Sequence, residues 1–379
     1  MLQRKIRIVK KVLFAALSLA LCISCTTSRE TGQEYILQIC TGGWNNRNYT
    51  TGQIIERLEK VTEMLPVEKV IIGWNLEAEP YREIGEYLHT KHIKMILWMP
   101  VFSEIGHLEE AEQSVDLWGA RTAPYNLQEG EDFTFYCPSS RKNLIAVKSI
   151  YEKYFSECGF DGVFLDKIRT ASYVAGQSGV LSCGCERCMA IYAENGLDIG
   201  SLKAKAGNAI VVNDDSMKEF LKVKASIVSE SVGELEDWFH AKGMEVGLDL
   251  FAPALADIVG QDFTALSAKA DFVKPMMYRK TEAPAGIGFE MRAFDPSFSS
   301  DSLTRDYLYE ELVKAAELSK CPVYPGIEIN YREDIARTSP EYIIESLQAV
   351  RKANIQGVVL AWDIMLAPDS HLEAVASMR

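Results

Sequence analysis

Histidine is scarce in this chain, with five among 379 residues. None of the nine cysteines has a histidine close to it in the sequence, which argues against a catalytic cysteine activated by histidine. No glycine-rich phosphate loop follows any apolar run, so the sequence indicates no organic cofactor. No repeat at solenoid spacing and no low-complexity segment occurs either, which leaves an ordinary globular fold.

Positive charge is also in short supply. Lysine and arginine number 40 against 53 aspartates and glutamates, which gives a formal net charge of −13 at pH 7. Five of the positive charges and no negative charge lie in the first 24 residues, so the remainder of the chain carries −18. An acidic surface without a basic run repels phosphate backbones, and we expect no nucleic-acid partner.

A basic and then apolar segment opens the sequence. Five basic side chains lie between residues 4 and 11, and the short apolar run Val12–Ile23 follows them. This order is typical of a signal peptide, and the run is too short for a comfortable membrane span. No second apolar stretch is long enough to cross a bilayer. We therefore expect an exported protein.

Cys25 is the residue that we expect to carry a lipid. It follows the small residue Ser24, whereas the competing Cys22 follows the bulky Leu21. Residues 1–25 would then be the lipoprotein signal peptide and its lipobox, and the polar residues 26–33 a tether. The predicted location is the bacterial outer membrane, on its periplasmic or surface side, with the lipid as the only membrane contact. The alternative is plain secretion with cleavage nearby.

Short apolar runs alternate with longer amphipathic segments from residue 35 to the end. Most of these runs lack polar alternation, which is typical of strands buried on both faces of a parallel sheet. About eight β/α repeats predict an α/β fold, a single (β/α)8 TIM barrel over residues 34–379, with a doubly wound open sheet as the alternative. The predicted strands are Tyr35–Thr41, Lys69–Trp74, Ile93–Phe102, Gly162–Asp166, Glu245–Phe251, Asp271–Tyr278, Val323–Ile329 and Gly357–Trp362.

Helices and long connections complete the pattern. Gln53–Leu65 has apolar residues at helical spacing, and Ser339-Pro340 is a typical helix start. The stretches after strands three, four and six are too long for simple connections, and all three would lie at the face where barrel enzymes carry their chemistry. We therefore expect long loops that shape a large cleft, over Ser103–Ser139, Thr170–Ser216 and Arg279–Ser302.

Acidic residues stand at the ends of four predicted strands. Asp166 ends strand four beside Lys167 and Arg169. Isolated charges in apolar strands are costly unless they are paired or functional, and a strand-end carboxylate can serve as nucleophile, acid or transition-state stabiliser. The alternative for Asp166 is a helix cap or a structural ion pair. The other three acidic residues, in strands five, seven and eight, are Asp249, Glu328 and Asp363.

Aromatic and cationic side chains accompany the carboxylates. Tyr278 and Trp362 stand at strand ends, whereas Trp74 and Trp98 belong to strands two and three. Sugar rings stack on aromatic faces while their hydroxyls bind carboxylates and amides. We therefore expect Arg169, Tyr278, Trp362, Asp363, Trp74 and Trp98 to shape a sugar site, although each aromatic ring could instead fill the core.

Several short motifs in a fixed order resemble those of a group of bacterial glycoside hydrolases with barrel folds. In that group a strand of the type "DG…D…R" precedes a "V.VD.F" strand, a "GQ" pair and a "D.I.PM.Y" strand. The corresponding segments here are Gly159–Arg169, Glu245–Phe251, Gly260-Gln261 and Asp271–Tyr278. The similarity covers residues 135–363 approximately and implies hydrolysis of a glycosidic bond in an oligo- or polysaccharide.

The resemblance carries over Asp166 best and Asp249 next. Glu328 comes from a different argument, since many retaining barrel glycosidases place one carboxyl on strand four and the other on strand seven. In other barrel families a strand-four aspartate works with a strand-five acid. The expected catalytic pair is therefore Asp166 with either Asp249 or Glu328.

A fainter resemblance is to family 18 chitinases, which share an acidic strand four, a Met-x-Tyr strand six and a tryptophan on strand eight. Their catalytic acid would fall at Ile168, which argues against chitinase chemistry here. The rival hypothesis is a surface lipoprotein that binds glycans on a TIM-barrel scaffold without turnover. A different hydrolase on the same fold is a third interpretation.

Three cysteines lie within six residues, at Cys183, Cys185 and Cys188. This density is typical of a metal site, but structural zinc normally takes four ligands. Cys137 or Cys158 could supply the fourth. The alternatives are a disulfide or free thiols. The density also suits iron. We expect no cofactor to be required for catalysis, and a structural zinc ion is the metal that we consider for the cluster.

Overall fold

A computed structural model describes residues 33–41, 49–103, 111–122, 133–206 and 214–379. Residues Glu34–Arg379 form one compact unit. The predicted signal peptide, Cys25 and residues 26–32 of the tether lie outside the described residues. None of the helices in the described ranges is both long enough and apolar enough to span a membrane.

Eight parallel strands close into a barrel in their order along the chain. β1 pairs with β8 through Glu34–Gly357 to Leu37–Leu360, which completes the ring. This closure confirms the predicted (β/α)8 barrel and excludes the doubly wound open sheet. The strands are β1 (Glu34–Cys40), β2 (Val67–Gly73), β3 (Lys94–Pro100), β4 (Gly162–Asp166), β5 (Glu245–Phe251), β6 (Phe272–Met276), β7 (Gly326–Glu328) and β8 (Gly357–Ala361).

Helices surround the barrel and occupy its long connections. Those in the described ranges are α1 (Thr51–Met64), α2 (Ala78–Thr90), α3 (Arg141–Tyr154), α4 (Gly176–Val180), α5 (Glu186–Glu194), α6 (Ile199–Ala206), α7 (Asp215–His240), α8 (Pro253–Ala256), α9 (Phe263–Leu266), α10 (Ile287–Phe294), α11 (Arg305–Leu318), α12 (Pro340–Lys352) and α13 (Asp369–Ala376). The described residues also contain four short 3-10 helices, at Tyr173–Ala175, Asp257–Val259, Ser300–Ser302 and Ile364–Leu366.

The first outer helix shows why the sequence folds as predicted. Thr50 and Gln53 form a capping box, in which each side chain binds the other residue's backbone N–H. Ile54, Leu58 and Val61 are buried on one face, as helical spacing requires. The same logic holds for α12, which begins at Pro340 after the N-cap Ser339 as expected.

Strand seven is much shorter than the seven residues expected for it. β7 contains three residues, and Val323 forms only an isolated bridge to Val273. Pro322 and Pro325 explain the difference, because proline has no backbone N–H to donate to a neighbouring strand. Their carbonyls still accept, from Val273 N at 3.0 Å and from Val359 N at 3.0 Å. A few backbone hydrogen bonds therefore keep the barrel closed at β7.

Aromatic rings fill the barrel interior between β4, β5 and β6. Phe164 and Phe272 stack with their ring centroids 6.0 Å apart. Gly247 permits this packing, because a Cβ atom there would lie 2.1 Å from the Phe272 ring. Lys274 Nζ lies 5.5 Å from the centre of the Phe164 ring. The apolar layer of the barrel therefore meets a polar layer at Lys274.

The long connections follow β3, β4 and β6, as predicted, and so lie at the C-terminal ends of the strands. The connection after β3 folds back on itself through the bridges Ser103–Phe135 and Gln113–Tyr136. The connection after β4 contains α4, α5 and α6. These two connections contact each other through a bridge between Asp116 and Ser182.

Candidate active site

A pocket opens at the C-terminal ends of the strands. Seven of the nine predicted catalytic and sugar-binding residues line it, namely Asp166, Asp249, Arg169, Tyr278, Trp362, Trp74 and Trp98. The remaining lining residues are Gln38, Phe133, Lys167, Phe251, Lys274, Met276, Thr281, Ala283, Pro284, Ala285 and Ile335. The strand-end rule therefore brings together residues from six different strands or the loops that follow them.

Asp166 is the last residue of β4 and is held by two N–H donors. The indole Nε1 of Trp98 donates to its Oδ2 at 2.9 Å, and the backbone N–H of Lys167 donates to its Oδ1 at 2.5 Å. Trp98 lies on the neighbouring β3, so its contact follows from strand pairing, whereas Lys167 is the next residue in the chain. The carboxylate keeps 8% of its residue surface exposed, towards the pocket that it lines. This arrangement fixes an acceptor at the pocket wall.

Asp249, on β5, lies deeper in the same pocket. Lys274 Nζ donates to its Oδ2 at 3.0 Å, whereas its buried Oδ1 has no hydrogen-bond partner among the described residues. Burial raises the pKa of Asp249 to about 7, and the negative charge of Asp166 adds to the rise while Lys274 opposes it. Two carboxyls of one pocket thus stand in different environments, the arrangement that separates an acid from its anionic partner.

Aromatic rings form much of the pocket wall. Trp74 and Trp98 meet edge to face with their centroids 5.6 Å apart. The buried Nε1 of Trp74 has no hydrogen-bond partner in the described part of the chain. Trp362 follows β8 and is mostly buried. The wall therefore offers both ring faces and an indole donor to a ligand.

Tyr278 follows β6 and places its phenol near the two aspartates. Its ring centre lies 5.2 Å from Lys274 Nζ, and its hydroxyl has no hydrogen-bond partner within the described ranges. Burial raises the pKa of Tyr278 well above its ordinary value, and the charge of Asp249 adds to this. The phenol therefore stays protonated and can act as a neutral donor or acceptor in the pocket.

Two cations follow Asp166 and are covered by aromatic rings. Lys167 Nζ lies 4.0 Å from the centre of the Phe133 ring and 5.0 Å from that of Trp74. The Arg169 guanidinium lies between two rings, 4.7 Å from Phe135 and 4.4 Å from Phe251. Stacking of this kind holds a planar cation in place at the pocket wall.

Glu328 and Asp363 do not line the pocket with the other predicted residues. Glu328 is completely buried and accepts hydrogen bonds from Lys280 N at 2.6 Å, from the Tyr342 hydroxyl at 2.5 Å and from Thr281 Oγ1. Burial raises its pKa, and these hydrogen bonds oppose the rise. Asp363 accepts from Met365 N at 3.1 Å and so caps a 3-10 helix. The hydrogen bonds of both residues are of the kind that stabilises a loop.

Gln38 and Lys274 belong to the pocket but were not predicted from the sequence. Gln38 lines the pocket from β1, and neither its amide nitrogen nor its amide oxygen has a partner among the described residues, although both are buried. Lys274 is 1% exposed and pairs with Asp249. Each is a polar residue inside an apolar strand, and that signal was available from the sequence. Buried polar groups of this kind are costly unless a partner or a ligand satisfies them.

One side of the pocket consists of small residues. Ala283, Pro284 and Ala285 line it from the connection after β6. Their side chains are short and contain no polar atom. These three residues of the connection after β6 therefore supply shape to the pocket.

Four cysteines meet next to the pocket loops. The sulfur atoms of Cys137, Cys183, Cys185 and Cys188 all lie within 4.8 Å of one another. Cys158, the other residue considered for the fourth place, lies elsewhere, with its sulfur 3.3 Å from the Tyr154 carbonyl oxygen. The structure therefore places Cys137 beside the three predicted cysteines.

No protein-family model matches this chain, and no curated protein does. Solved structures match it by fold. The glycoside hydrolase domain of PgaB (BpsB) from Bordetella bronchiseptica has a TM-score of 0.63 at 13% identity, over 91% of this chain and 98% of that one. A class V chitinase from Pseudomonas fluorescens Pf-5 has a TM-score of 0.53 at 11% identity, over 91% and 99%.

The spore cortex-lytic enzyme SleL from Bacillus megaterium QM B1551 has a TM-score of 0.52 at 9% identity, over 92% of this chain and 74% of that one. At such identities the similarities show the barrel fold. Ile168, the position that the resemblance to family 18 chitinases implies for their acid, is an isoleucine that is completely buried in the core of this chain. That position therefore contributes no carboxyl to the pocket.

Proposed function

We propose that this protein is a glycoside hydrolase that acts on an oligo- or polysaccharide, with Asp249 as the acid and Asp166 as its anionic partner. The observation that carries the proposal is the pair of carboxyls in one aromatic-walled pocket, one of which has its pKa raised to about 7. Glycosidases use two carboxyl groups in this way, one protonated and one ionised.

The contacts of Asp249 assign its proton to one oxygen. Lys274 donates to Oδ2, so a proton on the carboxyl resides on Oδ1, which has no partner among the described residues. From there it can pass to the glycosidic oxygen as the bond from the anomeric carbon to that oxygen breaks. The leaving sugar then departs as an alcohol.

Asp166 supplies the negative charge that the reaction requires. The anomeric carbon becomes positively charged as the bond breaks, and a carboxylate beside it stabilises that charge. Trp98 and the backbone N–H of Lys167 orient this carboxylate. Asp166 then acts either as the nucleophile or as the base that removes a proton from the attacking water, and water completes the hydrolysis.

The aromatic wall and the comparisons support a carbohydrate ligand. Trp74, Trp98 and Trp362 offer ring faces to the apolar sides of sugars. The structures with similar barrels include two proteins described as a glycoside hydrolase domain and a chitinase. Because fold alone does not fix function, the pocket residues carry more weight than the fold.

Release of products from glycans tests the proposal. Purified residues 34–379 would be incubated with bacterial, host and plant glycans, alongside Asp166→Asn, Asp249→Asn and the control Glu328→Gln. We expect the first two variants to lose at least about a hundredfold in turnover while glycan binding persists, because they remove one member of the acid/base pair. Folded Glu328→Gln should retain turnover. Equal loss in Glu328→Gln would reassign the pair to Asp166 and Glu328.

Binding without turnover is the competing function. The ion pair between Lys274 and Asp249 favours it, because a lysine at 3.0 Å stabilises the ionised carboxyl and so opposes proton donation. A glycan that binds to the wild-type pocket without any product from any member of the panel would establish this second function and overturn the first.

Lipid anchoring at Cys25 is a separate part of the proposal. It rests on the basic and apolar segment before Ser24 and Cys25. Expression of the full chain in a bacterium, followed by fractionation and intact-mass analysis, tests it. We expect the wild type in the membrane fraction with a lipid-modified N-terminus, and Cys25→Ser without the modification. An unmodified wild-type chain would contradict it.

A further inference from the structure

The four cysteines beside the pocket loops have the arrangement of a metal site. Cys137 Sγ lies 3.5 Å from Cys185 Sγ and 3.7 Å from Cys188 Sγ, and all four sulfur atoms fall within 4.8 Å of one another. Zinc bound tetrahedrally to four thiolates at about 2.3 Å would place the sulfur atoms about 3.8 Å apart. The observed separations therefore suit a common central ion.

We propose that Cys137, Cys183, Cys185 and Cys188 bind one structural zinc ion that fixes the wall of the pocket. Zinc fits because it favours closed tetrahedral sites of four thiolates. The choice of four sulfur ligands leaves no open position for water or substrate. The ion would therefore act on structure and take no part in the chemistry at Asp166 and Asp249.

The backbone around the ligands is held by hydrogen bonds. Cys137 N donates to Glu112 O at 2.8 Å, and the Asn143 side chain donates to Cys137 O at 3.1 Å. The Tyr192 hydroxyl donates to Cys183 O at 3.0 Å. Contacts outside the ligand set orient metal ligands and raise affinity, so this shell is what a built metal site requires.

The charges near the cluster also suit a metal. Four thiolates and one zinc ion carry a net charge of −2, and the Arg187 side chain lies beside Cys137 and Cys185, paired with Glu112. Cys185 is the N-cap of the nine-residue helix α5, whose positive end stabilises nearby negative charge. A surface depression lined by Cys137, Cys185 and Arg187 gives a metal ion access to the cluster.

The ligands come from two different loops, so a bound metal ion would join these loops to each other. Cys137 ends the connection after β3, whereas the other three lie in the connection after β4. Two residues before Cys137, Phe135 covers the guanidinium of Arg169, and Phe133 covers Lys167. A metal at the cluster would thus tie down the segment that carries these two rings, which belongs to the pocket wall.

Metal content and thiol state test the proposal directly. Protein produced with zinc in the medium would be analysed by elemental mass spectrometry and, after cobalt substitution, by visible absorption. We expect one zinc per chain and the cobalt spectrum of a tetrahedral thiolate site. Cys188→Ser should lose the metal, whereas the matched control Cys158→Ser, which removes a buried thiol outside the cluster, should keep it.

A chelator applied to the wild type covers the case in which Cys188→Ser does not fold. Removal of zinc should lower the thermal midpoint and speed proteolysis between residues 111 and 206, and added zinc should reverse both. Two disulfides within the cluster, seen as thiols that resist alkylation until reduction, would overturn the proposal. Iron in place of zinc, or a metal-free wild type with four alkylatable thiols, would overturn it as well.

Discussion

The pKa of Asp249 makes a prediction about stability that requires no substrate. Asp249 is buried, and its pKa rises from 3.8 to about 7. The folded chain therefore holds this proton up to about pH 7, whereas the unfolded chain releases it near pH 4. A carboxyl with a raised folded pKa contributes stability at low pH that is lost as the pH rises through this window.

The size of the effect follows from the shift. Each pKa unit corresponds to 1.36 kcal/mol, so a rise of about three units removes about 4 kcal/mol from the free energy of unfolding between pH 4 and pH 7. Asp249→Asn cannot release a proton and lacks this loss. The amount by which its free energy of unfolding lies below that of the wild type should therefore shrink by about 4 kcal/mol between pH 4 and pH 8.

Urea unfolding of the wild type and Asp249→Asn across this pH range measures the difference. Asp301→Asn, an exposed aspartate after β6, shows the effect of removing an ordinary surface carboxyl. Lys274→Met should move the wild-type transition to higher pH, because Lys274 lowers the pKa of Asp249. A difference between wild type and Asp249→Asn that stays constant with pH would refute the raised pKa and, with it, the assignment of Asp249 as the acid.

Three further predictions concern single side chains. Lys224 is completely buried, and burial lowers its pKa to about 7. In urea unfolding, the free energy of unfolding of the wild type should therefore rise by up to about 4 kcal/mol relative to Lys224→Met between about pH 7 and pH 10. Glu328→Gln should lower stability by about 1–3 kcal/mol, because an amide cannot accept from all the donors that Glu328 satisfies, and thermal unfolding checks this. Gln38→Leu should weaken glycan binding about tenfold in calorimetry with little loss of stability, since both polar atoms of Gln38 face the pocket without partners among the described residues. An unchanged affinity would remove Gln38 from the site.

The barrel and the location of the pocket followed from local patterns. Apolar runs bounded by helices gave the eight strands, and the rule that barrel sites lie at strand ends brought Asp166, Asp249 and Tyr278 to one pocket. Strand seven was overestimated because Pro322, directly before the predicted run, and Pro325, within it, each lack a backbone donor. A proline-aware interpretation of that segment would have shortened it.

The choice between Asp249 and Glu328 depends on contacts that no local pattern contains. Glu328 is enclosed by donors from Thr281 and Tyr342, which lie 47 and 14 residues away in sequence. Cys137 likewise reaches the cluster from 48 residues before Cys185. Pairings over such distances depend on how the loops fold back, and the sequence alone left both questions open.

The connection after β6 gives the pocket a property that matters for engineering. Ala283 and Pro284 line it without polar side-chain atoms, and the carboxyls lie on β4 and β5. Substitutions at these two positions can change the width of the pocket while the acid and its partner keep their contacts. A library built there would alter which ligands are accepted and leave the chemistry in place. This wall is therefore where the range of ligands can be varied, in the laboratory or by evolution, at the lowest risk to turnover.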